Sequence, residues 1–273
     1  MLRSLYSGVS GMRGFQTKLD VIGNNIANVN TIGFKASRVM FKDILSQSMG
    51  GVTAPVDGFG GVNPKQIGLG VTIAAIDTVH TPGSAMTTNV VTDLRIDGDG
   101  FFAVQNGEDG QIYLTRDGSF KLDAERKLVT SDGYLVLSVD GAPIILDEEI
   151  TAFAIDQNGQ LIGVNEDGTS APIDGAQIGV VKVANPGGLE KVGNNMYRFT
   201  PNTDLEELED LITTANDVEI GTGAIISGQL EMSNVDLTGE FTEMIVAQRA
   251  FQANSKIITT SDEVLQEVIS LKR

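Results

Sequence analysis

The amino-acid sequence predicts an α+β protein, with long N- and C-terminal helices pairing as a coiled coil and a central, mostly antiparallel β domain. Three observations support this fold class. Apolar residues recur with a seven-residue period at both ends of the chain. All seven prolines lie between Pro55 and Pro201, so both ends are free to form long helices. Between the ends, short apolar runs alternate with Asp-Gly and Asn-Gly pairs, a pattern that is typical of β-hairpins.

The N-terminal helix is predicted over residues 1–33. Its apolar stripe advances in steps of three and four and contains Leu2, Leu5, Val9, Met12, Gln16, Leu19, Gly23 and Ile26, with Phe15, Ile22 and Val29 beside it. Gly8, Gly11 and Gly14 each cost a helix about 1 kcal/mol relative to alanine, so the helix needs packing against another element. We expect it to stop within Asn28–Gly33, where Gly33 would supply the C-cap.

Residues 34–70 are predicted to lead from this helix to the β domain. The pattern over residues 34–47 is compatible with either a helix or an extended segment. Residues 50–70 are rich in Gly, Pro and Asn, which predicts a long, irregular connector. We expect residues 216–232 to return through the same connector.

The β domain is expected over residues 71–215, with eight to ten strands. Its apolar runs are at 71–79, 101–104, 112–114, 128–129, 134–139, 144–146, 161–164, 178–183 and 196–199. Turn pairs that favour positive φ angles are at 106–107, 109–110, 117–118, 132–133, 140–141, 158–159, 167–168 and 174–175. Residues 203–215 are compatible with a short surface helix or a solvated loop.

The C-terminal helix is predicted over residues 233–273, with Ser233–Asp236 as its capping region. Its stripe contains Leu237, Phe241, Met244, Gln248, Phe251, Ser255, Ile258, Asp262, Leu265 and Ile269. A helix of about forty residues is about 50–60 Å long, which is more than a small β domain can cover. The stripe is therefore expected to be buried against the N-terminal segment and against other molecules.

Charge separates the two ends from the middle and limits the classes of partner. The formal net charge of −17 argues against nucleic acid or an anionic membrane surface as the main partner. Residues 1–42 carry six basic groups against one acidic group, whereas residues 231–273 carry seven acidic groups against four basic ones. Opposite charge favours the pairing of the two ends.

The sequence indicates no catalytic, cofactor or metal site, and we expect no enzymatic activity. The absence of cysteine excludes disulfides and thiolate metal ligands. His80 is the single histidine, which excludes a multi-histidine site, and we expect it to be structural or on the surface. Asp97–Gly100 departs from a calcium loop at Phe101. The acidic β domain alone would also fit a secreted carbohydrate- or adhesin-type binding module, which is the second class of function that we consider.

Targeting signals are also not indicated. The N-terminal residues lack a continuous apolar region of the kind found in signal peptides, and no run of about 18 apolar residues occurs in the sequence. We therefore expect no membrane insertion and, if the protein leaves the cell, export without a cleaved signal peptide.

Residues 24–35, NNIANVNTIGFK, closely resemble the N-terminal signature of the bacterial flagellar rod and hook proteins. The resemblance continues through Ile96–Phe102, Thr115–Phe120, Glu231–Leu237 and Met244–Gln252. Within this family the chain is most similar to the short hook proteins of Bacillus-type bacteria, with the distal rod proteins as the alternative.

The resemblance implies a structural subunit that the flagellar type III apparatus exports and that self-assembles into a helical tube. In a hook, this tube acts as a universal joint that transmits torque from motor to filament. The implied partners are further copies of the chain and the distal rod, hook–filament junction and hook cap proteins, and the implied location is the flagellum, outside the cell after export.

The implied domains are a terminal domain of residues 1–33 with 233–273, a connector of 34–70 with 216–232, and an outer domain of 71–215. We hypothesise that the termini become fully ordered only on assembly.

The residues expected to carry assembly lie on the two terminal stripes and in the signature segment. They are Leu2, Leu5, Val9, Met12, Leu19, Asn24, Asn25, Ile26, Asn28, Gly33, Phe34, Leu237, Phe241, Met244, Phe251, Ile258, Leu265 and Ile269.

Overall fold

The computed structural model describes residues 2–55, 60–107, 110–146, 150–165, 170–204, 208 and 211–271. The chain forms two compact units. The first comprises Met1–Ala27, Ser37–Thr78 and Asp236–Arg273, and the second comprises Asn28–Ala36 and Val79–Val235. The α+β class is confirmed, whereas the finer division into terminal, connector and outer domains stays a prediction.

The first unit combines the two ends of the chain with two small β-ladders. Its elements are α1 (Leu2–Ala27), β1 (Ser37–Asp43), β2 (Ser46–Gly50), β3 (Lys65–Gly68), β4 (Val71–Thr78) and α2 (Leu237–Ser270). Strand β1 pairs antiparallel with β4, and β2 pairs antiparallel with β3.

Helices α1 and α2 run antiparallel along each other. Near the start of α1, Gly8 faces Ile258, and near its end Asn25 donates a hydrogen bond to Glu240 at 2.8 Å. Between these points Lys18 forms an ion pair with Glu243. The predicted pairing of basic N-terminal and acidic C-terminal helices is therefore present in the structure.

The face of α2 that packs inside the unit coincides with only part of the predicted stripe. Buried and half-buried side chains along this face advance in steps of four and three and include Glu240, Met244, Ala247, Phe251, Asn254, Ile258, Ser261 and Leu265, and Ala250 and Ser255 beside them are also half-buried. The prediction followed large apolar side chains, but the packed face also uses Ala247, Asn254 and Ser261. Met244, Phe251, Ile258 and Leu265 of the predicted stripe therefore pack inside the unit, whereas Leu237, Phe241 and Ile269 are exposed.

The predicted ends of the helices also need correction. Helix α1 ends at Ala27 and turns follow it, so Gly33 is not its C-cap. Helix α2 begins at Leu237 rather than Ser233. Within the predicted capping region the N-cap is Asp236, whose side chain accepts a hydrogen bond from the backbone N–H of Thr238 at 3.0 Å.

The predicted connector is more regular than its composition indicates. The part of residues 34–47 that forms secondary structure is extended, in β1 and the start of β2. The prediction of an irregular segment over residues 50–70 is wrong in part, since β3 closes a hairpin with β2 and Thr53 bridges Val62. Residues 56–59 lie outside the described residues.

The second unit is built from short strands. They are β5 (Ala85–Thr87), β6 (Leu94–Asp97), β7 (Phe101–Gln105), β8 (Ile112–Thr115), β9 (Lys121–Leu122), β10 (Leu128–Val129), β11 (Leu135–Val136), β12 (Ile150–Ile155), β13 (Gln160–Asn165), β14 (Ser170–Gln177), β15 (Val180–Val181), β16 (Glu190–Gly193), β17 (Met196–Arg198), β18 (Ile212–Thr213), β19 (Ala224–Ser227) and β20 (Gln229–Glu231).

The strands of this unit pair in one large and several small antiparallel sheets. The nine-stranded sheet has the order β16-β17-β8-β7-β11-β10-β9, and β15 joins it by pairing with β7 and β18. Strands β12, β13 and β14 form a separate sheet, while β19 pairs with β6 and β20 with β5. The last two pairings bring residues 224–231 onto strands near the start of the unit.

Two apolar cores lie on the two faces of β7. Phe102 and Val104 belong to the larger core, whereas Phe101 and Ala103 belong to the smaller one, because successive side chains of a strand point to opposite faces. All four side chains are buried. Strand β7 is therefore central to the unit, and its continuous apolar sequence reflects burial on both sides.

The number and limits of the strands differ from the prediction. Over residues 71–215 the described chain has fifteen strands rather than eight to ten, because several ladders are only two residues long. The run at 144–146 forms an isolated bridge instead of a strand. Within residues 203–215, Ile212–Thr213 form β18, and residues 205–207, 209 and 210 lie outside the described residues.

The predicted turn glycines separate into two groups. Those of the pairs at 109–110, 132–133, 140–141, 158–159 and 174–175 have positive φ, as expected. Gly107 and Gly118 do not. Gly118 instead lies against the backbone of Leu94, so close packing accounts for this glycine. The pair at 167–168, together with Asp109, lies outside the described residues.

Candidate assembly site

Two glycines of α1, Gly8 and Gly11, face α2 directly. A Cβ built on Gly11 would lie 2.8 Å from Nδ2 of Asn254, and one built on Gly8 would lie 3.4 Å from Cγ1 of Ile258. Small residues allow this approach, which a larger side chain at Gly11 would prevent. The glycines that weaken α1 as an isolated helix therefore form part of its packing surface.

The predicted assembly residues on the helices divide into half-buried and exposed positions. The half-buried ones are Leu5, Val9, Met12, Leu19, Ile26, Met244, Phe251, Ile258 and Leu265. Asn24, Leu237, Phe241 and Ile269 are exposed. Leu2 lies on α1, but its side chain is outside the described part of the structure. Whether these residues act in assembly stays a prediction.

Asn25 is a buried polar anchor of the helix pair. Its Nδ2 donates to the carbonyl of Ser37 and to Glu240, both at 2.8 Å, and its Oδ1 accepts from the Ser37 N–H at 3.0 Å. These bonds hold the end of α1 to the start of β1 and to α2. Burial raises the pKa of the Glu240 carboxyl, with Asn25 opposing this effect.

The rest of the signature segment, residues 28–35, belongs to the second unit. Asn28 is half-buried and accepts hydrogen bonds from Thr31. Phe34 is buried under the ammonium group of Lys191, which lies 5.1 Å from the ring centroid. The Ile32 carbonyl accepts a hydrogen bond from Asn195 at 2.8 Å.

Gly33 makes the tightest approach in this segment. Its φ of +68° lies in the left-handed region, and its N–H donates to the carbonyl of Glu231 at 2.8 Å. A built Cβ would lie 2.7 Å from the backbone nitrogen of Asp117 and 2.8 Å from the carbonyl carbon of Arg116. The position therefore requires glycine for both its conformation and its space.

Three charged side chains next to this glycine form a buried ionic cluster. The side chains of Lys35, Arg116 and Glu231 are at most 3% exposed. The Nζ of Lys35 donates to Oε1 of Glu231 at 2.5 Å, and Nη1 of Arg116 donates to Oε2 at 3.2 Å. One carboxylate therefore bridges two cations that come from distant parts of the sequence.

Backbone groups add further hydrogen bonds to this cluster, although Nε of Arg116 is buried without a partner among the described residues. The Gly83 N–H donates to Glu231 at 2.9 Å, Lys35 donates to the Thr81 carbonyl at 2.8 Å, and Arg116 donates to the Gly98 carbonyl at 2.9 Å. Buried charges are tolerated when they are paired and hydrogen-bonded in this way. The cluster thus joins the signature segment to the chain at Thr81–Gly83, to Gly98 and to the end of β20.

The pKa values in the cluster follow from burial and from mutual attraction. Burial lowers the pKa of Lys35, and Glu231 opposes that effect. For Glu231, burial acts to raise the pKa, but Arg116 and Lys35 outweigh it and the net pKa is lowered. Glu231 is therefore ionised at neutral pH, as its bridging position requires.

Asn234 forms a second clamp beside the cluster. Its Oδ1 accepts from the Ala36 N–H at 2.8 Å, while its Nδ2 donates to the Val79 carbonyl at 2.8 Å and to the Thr81 hydroxyl at 3.0 Å. The Asn234 side chain therefore binds the backbone just before β1, at Ala36, and just after β4, at Val79 and Thr81. Asn234 lies in the predicted capping region, but it makes this contact while Asp236 caps the helix.

His80 packs between the rings of Phe101 and Tyr197, at centroid distances of 5.7 and 5.6 Å. Burial, followed by the positive charges of Lys35 and Arg116, lowers its pKa to about 4. At neutral pH the ring is therefore uncharged. His80 therefore has a structural role, packing beside the ionic cluster.

The described residues contain no group of three or more histidine or carboxylate side chains placed to hold a metal ion. Over the same described ranges, neither helix has the length and apolar character that crossing a bilayer requires.

Four of the segments that carried the resemblance contribute to the contacts of the ionic cluster in the second unit. Lys35, Arg116 and Glu231 each lie within one of them, and so does Asn234. Sequence reasoning did not select these four residues as site residues. The sequence carries no local signal for them, because their contacts join residues that are far apart in the chain and charged residues are rarely buried.

The motifs that meet in this cluster and on the paired helices occur together in one class of protein, the axial proteins of the bacterial flagellum. The chain belongs to the FlgE/F/G family of flagellar hook and basal-body rod proteins. Three family descriptions match it: "Flagella basal body rod protein" over residues 5–35, "Flagellar hook protein FlgE/F/G D1 domain" over residues 95–163, and "Flagellar basal body rod FlgEFG protein C-terminal" over residues 226–271.

Individual relatives agree with this assignment. The chain is 54% identical over 274 positions to the flagellar basal-body rod protein FlgG of Bacillus subtilis and 39% identical over 277 positions to FlgG of Borreliella burgdorferi. It is 29% identical over 451 positions to the flagellar hook protein FlgE of Borreliella burgdorferi. Each alignment covers 100% of both chains.

Proposed function

We propose that this protein is the distal rod subunit of the flagellar basal body and that it polymerises into the tubular axis. The observation that carries the proposal is the match to a basal-body rod protein at 54% identity with almost no difference in length. Hook relatives align at 29% identity over 451 and 473 positions, so they contain long segments that this chain lacks.

The hook subunit is the second candidate. It was the function expected from the sequence. It is supported by the FlgE relatives, which align with the chain over their whole length. Identity and length both favour the rod. Under either assignment the protein is a structural component without a catalytic role.

Polymerisation accounts for apolar surface that the first unit leaves uncovered. Phe241, Ile245 and Val246 on α2 are at least half exposed, and so are Met49 and Val52 on and beside the β2–β3 hairpin. A two-stranded hairpin is marginally stable by itself in water. Contacts with neighbouring copies would cover these side chains and stabilise both elements.

Export and neighbours follow from the same proposal. The subunit would pass through the flagellar type III apparatus without a cleaved signal peptide and join the axis outside the cytoplasmic membrane. Its contacts would be with further copies of itself and with the proteins at the two ends of its segment. The hook cap and the hook–filament junction proteins would be neighbours only if the chain were a hook subunit.

Immunogold labelling of isolated hook–basal bodies separates the two assignments. Label over the rod, inside the cell envelope, is the expected result, and label over the curved segment outside the envelope would establish the hook instead. Deletion of the gene should remove the distal part of the rod and everything beyond it.

Polymerisation itself is tested with Phe251→Asp, which places a charge on the packed face of α2. Purified variant should fail to form sedimenting polymer under conditions in which the unmodified chain does. Gln252→Asp is the matched control because it adds the same charge at the next, exposed position. Polymer from Phe251→Asp in normal yield would contradict the role of the helix pair.

A further inference from the structure

The first unit has an open groove beside α1, on the side away from the glycines that face α2. It has a volume of 420 Å³ and is lined mainly by apolar surface, including Tyr6 and Val9 of α1, Ile73 of β4, and Ile44 and Leu69 at the base of the hairpin. Tyr6 is 72% exposed. The groove is therefore an accessible apolar surface in the subunit.

One rim of the groove carries a positive charge. Arg13 lines the groove and is exposed, and no carboxylate of the described residues lies within ion-pair distance of it. One turn and a half further along α1, Lys18 is already paired with Glu243 of α2. A partner that filled the groove would therefore bind better if it brought a carboxylate to Arg13.

The end of α2 carries a surface of the complementary kind. Val264, Val268 and Leu271 follow each other at steps of four and three, so they share one face of the helix, and they are 40%, 51% and 85% exposed. This face is distinct from the packed face that contains Ile258 and Leu265. The last three turns of α2 therefore present a second apolar stripe that the described residues leave largely uncovered.

Acidic side chains border this second stripe. Glu263 and Glu267 are exposed and four residues apart, so they lie on the same edge of the helix. Neither forms an ion pair within the described residues. An apolar stripe edged by carboxylates matches an apolar groove edged by an arginine in both polarity and charge.

We propose that the groove binds the last three turns of α2 from a second copy of the chain, with Glu267 of that copy against Arg13. This inference rests on the proposed polymerising function and specifies one contact of the polymer. Because groove and stripe are different surfaces, the contact is heterologous. When each subunit gives its stripe to one neighbour and its groove to another, repetition of the contact extends as the helical array that the proposed function requires.

Cysteine cross-linking tests the contact directly, since the natural chain has no cysteine. Ser10→Cys lines the groove, and Val268→Cys lies on the stripe. Full-length single-cysteine variants are mixed under polymerising conditions and oxidised. The expected result is a mixed disulfide dimer, at about tenfold higher yield than from Gln16→Cys, an exposed α1 position outside the groove, mixed with Val268→Cys.

A charge exchange supplies independent evidence. Arg13→Glu and Glu267→Arg should each raise the critical concentration for polymerisation about tenfold, because each puts like charges together. The variant that carries both substitutions should return to within about threefold of the unmodified chain. Glu243→Arg, which addresses a carboxylate already paired with Lys18, should not be rescued by Arg13→Glu.

The outcomes separate the inference from the function on which it rests. Polymer in which Ser10→Cys and Val268→Cys fail to cross-link, with no rescue by charge exchange, overturns the contact and leaves the function standing. Cross-links between two Ser10→Cys chains would show that a second groove, rather than α2, covers this surface. A chain that forms no polymer in any condition and does not label the axis overturns both.

Discussion

The side chain of Asn254 on α2 occupies the space into which any side chain at Gly11 of α1 would project. The distance from a built Cβ to Nδ2 of Asn254 is 2.8 Å, which is shorter than ordinary van der Waals contact. Glycine at this position thus sets the separation of the two helices. Gly23, three turns further along α1, has no such neighbour among the described residues.

Gly11→Ala and Gly23→Ala should have different effects on stability. Alanine favours a helix by about 1 kcal/mol over glycine, and no described atom lies within 4 Å of a Cβ built at Gly23, so Gly23→Ala should stabilise the helix pair by about that amount. At Gly11 the clash with Asn254 should cancel the gain. Thermal unfolding followed by circular dichroism at 222 nm measures both, and equal stabilisation would contradict the close contact.

Gly33→Ala should destabilise the second unit by about 2–4 kcal/mol, since the new Cβ would meet the backbone of Arg116 and Asp117 in an unfavourable conformation. Gly141→Ala is the control. Gly141 also has positive φ, but no described atom lies within 4 Å of a built Cβ, so a cost of about 1 kcal/mol is expected. Urea unfolding followed by tyrosine fluorescence gives the difference.

Glu231→Gln should destabilise the second unit by about 3–5 kcal/mol, because it leaves Lys35 and Arg116 buried without a counter-charge. Glu190→Gln removes one member of the exposed pair with Arg198 and should cost at most about 1 kcal/mol. Comparable losses in urea unfolding at pH 7 would contradict the assignment of Glu231 as the bridge of the cluster.

His80 should make stability depend on pH between about 6.5 and 4. Its pKa in the folded chain is about 4, below the usual value of 6.5, so protonation in this range favours the unfolded chain. The stabilisation is fully present above pH 6.5 and is lost as pH falls, by about 1–3 kcal/mol after allowance for partial exposure. His80→Phe should flatten this slope in urea unfolding at pH 6.5, 5.5 and 4.5, and an unchanged slope would show that the pH dependence has another origin.

The sequence was sufficient for the class of fold and for the pairing of its ends, but not for the orientation of the helices. Two stripes on α2 share Met244, Phe251, Ile258 and Leu265; one also runs through Phe241 and Ile269, and the other through Ala247 and Asn254. Counting large apolar residues selects the first. Packing selects the second, because the small residues of α1 admit Asn254 and Ile258 at close range.

The ionic cluster was beyond sequence reasoning for a different reason. Charged residues are rarely buried, so Lys35 and Glu231 would be expected in solvent, and their separation by 196 residues gives no local pattern. The strand content was underestimated for a related reason, since ladders of two residues, such as β9 with β10, depend on neighbours that are distant in the sequence. The spacing of apolar residues shows which face of a helix or strand is buried. It does not show which distant segment covers that face.

The separation between Lys35 and Glu231 also sets an order of events for a chain that is synthesised from its N-terminus. Lys35 and Arg116 arrive early, and their common counter-ion arrives only with the last sixth of the sequence. Until then the burial of the two cations is unfavourable, because their counter-ion is missing. The Gly33 N–H also lacks its acceptor, the carbonyl of Glu231. The second unit can therefore complete its buried cluster only when Glu231 is present, so its closure is one of the last steps in the folding of the chain.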